Sequence, residues 1–353
     1  MNPGFEIQLI SVIIAVSCAL PGVFLVLRKM AMMSDSITHT ILLGIVLAFF
    51  VTNDLSSPLL IIGAAFIGVV TVWLTELLVK THLLAEDAAT GIVFPLLFSI
   101  AVILISRGAS NVHIDTDSVL LGELAFAPFE RVVVRGVDIG ARLIYTSGAL
   151  LSLNLILITV FFKDLELATF DPLLAAVLGF SPAVLHYGLM TLVSATAVGA
   201  FEAVGSILIV AFMVGPPVTA WLLTDDLKTM LVFSGCFAML NAVFGYRFAM
   251  WLDVSIAGSI SVVTGLIFAL VQLFAPRRGL LAAAGRRNAH RREFAKITLL
   301  MQIRKKPERY DGKALRSTAG TLLREQKTTL RDGEITATQN GLDSIDEFLR
   351  KMR

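Results

Sequence analysis

The sequence predicts an all-α fold: a polytopic membrane helix bundle of about nine spans, followed by a small basic cytoplasmic domain. Three observations predict it. Of 353 residues, 56% are hydrophobic and 16% are charged, against roughly 45–50% and about 25% in soluble domains. Nine apolar runs approach the length of about 20 residues that a membrane-crossing helix needs. Charge is also unevenly divided: residues 1–276 hold ten Lys and Arg against eighteen Asp and Glu, whereas 277–353 hold nineteen against nine. The division reads as a transmembrane domain over 1–280 and a basic C-terminal domain over 281–353. This composition excludes a disordered chain, a coiled coil and an ordinary cytosolic enzyme. The two cysteines, Cys18 and Cys236, lie inside apolar runs and exclude a disulfide scaffold.

The spans are read at 6–27, 37–52, 58–79, 90–106, 143–162, 183–200, 203–223, 229–246 and 254–274. Helices satisfy every backbone amide internally, which lipid demands of an open-ended segment. Orientation follows from basic residues at span ends. Arg28 and Lys29 follow the first span, Lys80 and His82 the third, Lys163 the fifth, and Arg277 and Arg278 the ninth. These fall on one side, the cytoplasm, so the N-terminus is expected outside and the tail inside. The start Met-Asn-Pro-Gly-Phe-Glu lacks the positive region of a signal peptide and reads as an uncleaved span. Residues 107–142 resist the count, because they place Arg107, Arg131, Arg135 and Arg142 outside. Val119–Pro128 is read there as a re-entrant or surface helix, with an additional span at 118–134 as the alternative.

Ionisable residues inside a membrane are costly and tend to face a polar path or a partner. Asp35 and His39 sit four apart, so one helix face carries both, and carboxylate plus imidazole can grip a divalent first-row metal. Equally, Asp35 could cap the second span and His39 could bond a neighbouring carbonyl. Glu202, at a break between two apolar runs, is either a helix-end carboxylate in water or a lining of the path. Glu86 and Asp87 suit the N-terminus of the fourth span electrostatically. His113, Asp115 and Asp117 read as a solvated outer loop or a cation-attracting cluster. Pro21-Gly22, Pro95 and Gly215-Pro216-Pro217 punctuate the spans, either as kinks or as breaks lining a substrate path. Between the fifth and sixth spans, Thr169 or Asp171 can cap a short helix starting at Pro172 and ended by Gly179. An amphipathic helix in a cytoplasmic loop suits a partner's groove or the membrane surface.

The tail reads as a helix around Arg291–Ile303, a second over Gly312–Arg324, a hairpin about Asp332-Gly333 and a closing helix over Leu342–Met352. That order resembles a small winged helix, and Asp332–Gly341 is similar to the wing of bacterial winged-helix regulators. Its charge suits DNA phosphates, anionic lipid or a protein partner.

Several stretches together resemble the integral permease subunit of bacterial manganese, zinc or iron ABC importers. They are Leu27-Arg-Lys-Met-Ala-Met-Met-Ser-Asp-Ser-Ile-Thr-His39, Glu86–Val93, Ala168-Thr-Phe-Asp-Pro-Leu-Leu-Ala-Ala-Val-Leu-Gly179, Ala203–Val210 and Gly245–Gly279. The resemblance implies a bacterial plasma-membrane, multi-pass permease that pairs with a second copy or a sister permease. Two ATPase subunits would drive it and an extracytoplasmic metal-binding protein would deliver the ion. It implies no permanently bound cofactor, only transported manganese, zinc or iron. By the same resemblance Asp35, His39 and Glu202 would line the metal path, and Phe170, Asp171, Pro172 and Gly179 would form the coupling helix on the ATPase. The chain has no Gly-x-x-x-x-Gly-Lys-Ser/Thr loop, so ATP hydrolysis is expected on another polypeptide. The tail departs from the family pattern and could add DNA or partner binding. Alternative readings are an iron-chelate or corrinoid permease, or a metal carrier working without an ATPase.

Overall fold

The computed structural model describes residues 3–53, 57, 59–108, 124–134, 137–276, 278–305, 308–309, 321–322, 324–331 and 334–351. The chain divides into two compact units, Met1–Gln272 and Leu273–Arg353. The first is built on α1 (Pro3–Leu27), α2 (Ala31–Thr52), α3 (Leu59–Val79), α4 (Glu86–Gly108), α5 (Arg142–Val160), α6 (Phe162–Phe170), α7 (Pro172–Val177), α8 (Pro182–Trp221), α9 (Leu227–Leu252) and α10 (Ile256–Phe274). Among the described residues nine helical segments are long and apolar enough to cross a membrane, with α8 supplying two of them, Pro182–Phe201 and Ala203–Trp221.

α1 is the most buried span and packs against α2, α5, α8 and α9. Ile10, Ile14, Cys18, Val23 and Phe24 on α1 are almost fully shielded. Because lipid is as apolar as these side chains, close packing and internal polar contacts hold the helices together. Gly44 and Gly63 let α2 and α3 approach: a Cβ at Gly44 would stand 2.4 Å from the Gly63 carbonyl oxygen. The Thr71 hydroxyl then reaches Thr40 at 2.8 Å. On the other flank the Asn154 amide donates to the Ser17 carbonyl and to the Thr196 hydroxyl, both at 3.0 Å.

Those contacts show that α8 turns back on itself. His186 meets Arg28, at the end of α1. Ten residues later Thr196 lies level with Ser17, having run antiparallel to α1. Yet Met213 packs its backbone on Gly22, closer to Arg28 again. A continuous 40-residue helix would be about 60 Å long, twice the hydrocarbon thickness. The reversal falls at Gly205, whose φ 69° and ψ 173° are open essentially to glycine alone. By helical rise the turn lies about level with Val12, near the middle of α1.

At the Glu6 end of the bundle, β1 (Arg131–Val134) and β2 (Val137–Ala141) form an antiparallel hairpin. Arg131 reaches across to the buried Glu6 carboxylate at 3.3 Å. This corrects the alternative reading of an extra span at 118–134, because 131–134 is strand. Of the surface helix read at Val119–Pro128, the described part holds one 3-10 turn, Leu124–Phe126. Pro128 stops helix propagation, and Val132-Val133-Val134 is β-branched and suits a pleated surface. Residues 119–123, His113, Asp115 and Asp117 lie outside the described residues.

The second unit holds α11 (Leu280–Lys305), β3 (Glu308–Arg309), β4 (Thr328–Arg331), β5 (Glu334–Ala337) and α12 (Gln339–Lys351). The strands are antiparallel in the order β3-β5-β4. Leu299, Leu300, Ile303, Leu322 and Ile345 form its core. β4 and β5 flank Asp332-Gly333, where the sequence places a hairpin turn, while those two residues lie outside the described ones. α11 starts eleven residues before the expected Arg291, and β3 was not foreseen. The Lys296 ammonium bonds Glu325 and Lys327 lies 3.6 Å from the same carboxylate, which holds the Glu325 carboxyl below the usual range.

Candidate translocation site and coupling face

α2 starts at Ala31, six residues before the expected boundary, because Ser34, Asp35 and Ser36 interrupt the apolar run without breaking the helix. Asp35 is therefore the fifth helical residue and not a cap. The cap position is Met30, which has no side-chain bond to the helix. One turn on, His39 Nε2 stands 3.4 Å from Asp35 Oδ1, with 25% of the His39 side chain and 35% of the Asp35 side chain exposed. Their neighbours Ser34, Ser36, Ile37 and Thr38 are buried. The ring of His39 lies against Phe94 at 5.6 Å and edge-on to Phe98 at 6.2 Å, so α4 walls one side of the pair. The pair thus offers a carboxylate and an imidazole to a cation beside the rings of Phe94 and Phe98. No group of three or more His, Cys, Asp and Glu able to hold a metal occurs among the described residues.

The structure does not bring Glu202 to that pair along one helix. Glu202 belongs to α8, next to the reversal, where Ala203, Val204 and Ser206 are buried. Its backbone therefore lies within the bundle and not at a helix end in water. Its side chain is outside the described residues.

At the Arg28 end, α6 and α7 form a short helical elbow. Asp171 caps α7 by accepting from the Leu174 amide at 2.9 Å, Pro172 fills the first helical position, and Gly179 leaves with φ 90°. Of the two cap residues open from sequence, Asp171 takes the role. Thr169 instead accepts from Arg28 Nε at 3.1 Å. Phe170, Leu173, Val177 and Leu178 are exposed, from 59% to 83%, so the elbow presents an apolar face that this chain leaves uncovered.

Behind the elbow lies a polar cluster that sequence reasoning missed. Arg28 Nη1 is 3.4 Å from His186 Nδ1. His186 Nε2 is 2.5 Å from Glu76 Oε1. The Tyr187 hydroxyl donates to Glu76 Oε2 at 2.6 Å, and Lys80 stands 3.9 Å from the same oxygen. Burial lowers the pKa of the Arg28 guanidinium. The cluster links the α1–α2 corner, α3, α6 and α8. The available signal was Glu76 itself, an acid inside a span, which calls for a partner.

A helical bundle with nine segments able to cross a membrane among its described residues defines a polytopic membrane protein, and comparison with known proteins places it. The model of the ABC 3 transport family matches residues 5–275. The manganese transport system membrane protein MntD of Bacillus subtilis is 46% identical over 280 residues, covering 79% of this chain and 95% of MntD. The zinc transport system membrane protein TroD of Treponema pallidum is 45% identical over 298 residues, covering 84% and 81%. Among solved structures, PsaBC from Streptococcus pneumoniae in complex with Fab superposes with a TM-score of 0.65 at 27% identity, covering 79% of this chain and 94% of that one. The chain belongs to the ABC 3 transport family.

Proposed function

We propose that this chain is the membrane-spanning permease subunit of an ATP-driven importer that moves manganese, zinc or iron into a bacterial cytoplasm. The observation that carries the reading is the half-exposed Asp35–His39 pair on α2. A passing ion must bind weakly enough to leave, so two protein ligands and residual water suit it better than a closed four-ligand site. The names of the relatives support a first-row metal cargo. Glu202 is a further contact on the path. The pair is partly exposed on the protomer, so a second permease, identical or sister, completes the pathway. Phe170, Asp171, Pro172 and Gly179 shape the elbow that seats on a separate ATPase pair, and an extracytoplasmic metal-binding protein loads the Glu6 end. The N-terminus is then outside and the tail cytoplasmic. The strand order β3-β5-β4 supports a winged-helix-like tail over 281–353.

The test is uptake of radioactive or fluorescently detected metal into vesicles holding the chain with its ATPase and any sister permease. Asp35→Asn and His39→Ala should each abolish most uptake while the complex still assembles and hydrolyses ATP. Normal uptake by both variants would remove the pair from the path. Metal flux through the chain with no ATPase present would replace the importer with a carrier.

A further inference from the structure

We infer that the first half of α11, Leu280–Phe294, is a docking surface for anionic phospholipid. The tail's folded core begins only at Leu299, and among the described residues none from Leu280 to Phe294 belongs to that core or to the apolar side chains packed against it. On a helical wheel Leu280, Ala283, Ala284, Arg287, Arg291 and Phe294 share one stripe. Leu280 and Phe294 are 54% and 56% exposed, and the remaining four are exposed too. A concavity of about 410 Å³ lies along this stripe, lined by Leu280, Ala283, Ala284, Arg287, Asn288 and Arg291.

The charge pattern selects the occupant. No Asp or Glu occurs from Val254 to Arg292, while Arg277, Arg278, Arg286, Arg287, Arg291 and Arg292 fall within that stretch. Among the described residues no carboxylate pairs with Arg286, Arg287 or Arg291, whereas Lys296, further along the same helix, is tied to Glu325. Leu280 follows Phe274, the last residue of α10, by six positions. Chain length alone keeps it within about 20 Å of the end of that apolar helix. Basic side chains this near a span are drawn to a leaflet carrying negative headgroups. Apolar residues interleaved with arginine suit an interface in which carbon sinks and charge stays at the headgroups. A nucleic acid would use the arginines and leave Leu280 and Phe294 in water. The inference requires that α10 crosses a membrane and is independent of the cargo.

Full-length protein in nanodiscs tests it by hydrogen–deuterium exchange. Backbone exchange over 280–294 should slow at least ten-fold when phosphatidylglycerol is mixed into phosphatidylcholine, and high salt should reverse the change. Each arginine near an anionic surface contributes roughly a five-fold factor, so R287Q/R291Q should lose most of the protection. Exchange over 299–303 should stay constant in every sample, which reports that the tail remains folded. Equal exchange of 280–294 in both lipids overturns the inference, and so does protection that appears only when duplex DNA is added. A failed metal-uptake test leaves this result untouched, which separates the two readings.

Discussion

Removing the Glu76 carboxylate should loosen the Arg28 end of the bundle. Its Oε2 accepts from the Tyr187 hydroxyl at 2.6 Å, its Oε1 lies 2.5 Å from His186 Nε2 as an ion-pair contact, and 22% of its side chain is exposed. A hydrogen bond to a charged group contributes about 1.5–3 kcal/mol, and partial exposure discounts each pair. Glu76→Ala should therefore destabilise by about 1.5–3 kcal/mol. Glu76→Gln keeps an acceptor for the Tyr187 hydroxyl and should cost about 1–2 kcal/mol. In detergent these losses correspond to a fall in Tm on the order of 5 °C or more for alanine, and about half that for glutamine. Thermal unfolding followed by tryptophan fluorescence or by size-exclusion recovery measures both. Combining Glu76→Ala with Tyr187→Phe should cost less than the two changes added, because they remove one shared bond. Two single variants that melt with the parent protein, or strict additivity of the pair, would show that the cluster contributes nothing to holding α3 on α8.

Other outcomes follow from backbone geometry and capping. Gly205→Ala forces a Cβ into a φ 69°, ψ 173° backbone and should cost about 1–3 kcal/mol, seen as a lower Tm and a lower yield of folded protein. Unchanged stability would mean that α8 can turn back without that conformation. Asp226 caps α9, accepting from the Thr229 hydroxyl at 2.7 Å and the Thr229 amide at 2.9 Å, and these bonds hold its carboxyl below the ordinary value of 3.8. A lowered folded-state value means that the stabilisation is present above pH 3.8 and is lost as pH falls through the lowered value. Asp226→Ala should thus melt below the parent protein at neutral pH and converge with it in acid; a gap that is constant across that range would refute the assignment.

The sequence alone determined the membrane-spanning helices, because lipid requires long apolar runs and those are written locally. It also determined that Asp35 and His39 share a face, since four residues is a little over one helical turn, and that Asp171 could cap the helix at Pro172. Tertiary structure decided what those residues meet. Arg28 and His186 are 158 positions apart and Glu76 and Tyr187 are 111 apart, so nothing in local pattern joins them. Where α8 reverses was hinted at by the break between two apolar runs at Glu202, yet the depth of that turn follows only from the contacts of Thr196 and Met213 with α1. The hairpin over 131–141 was likewise hidden, because a strand pair is stabilised across the chain and by the Arg131–Glu6 contact, while hydropathy registers only the solvent. Periodicity records what each helix buries; only the assembled bundle fixes which charge finds which partner, since a buried ion is tolerated where an opposite one from a distant segment arrives beside it.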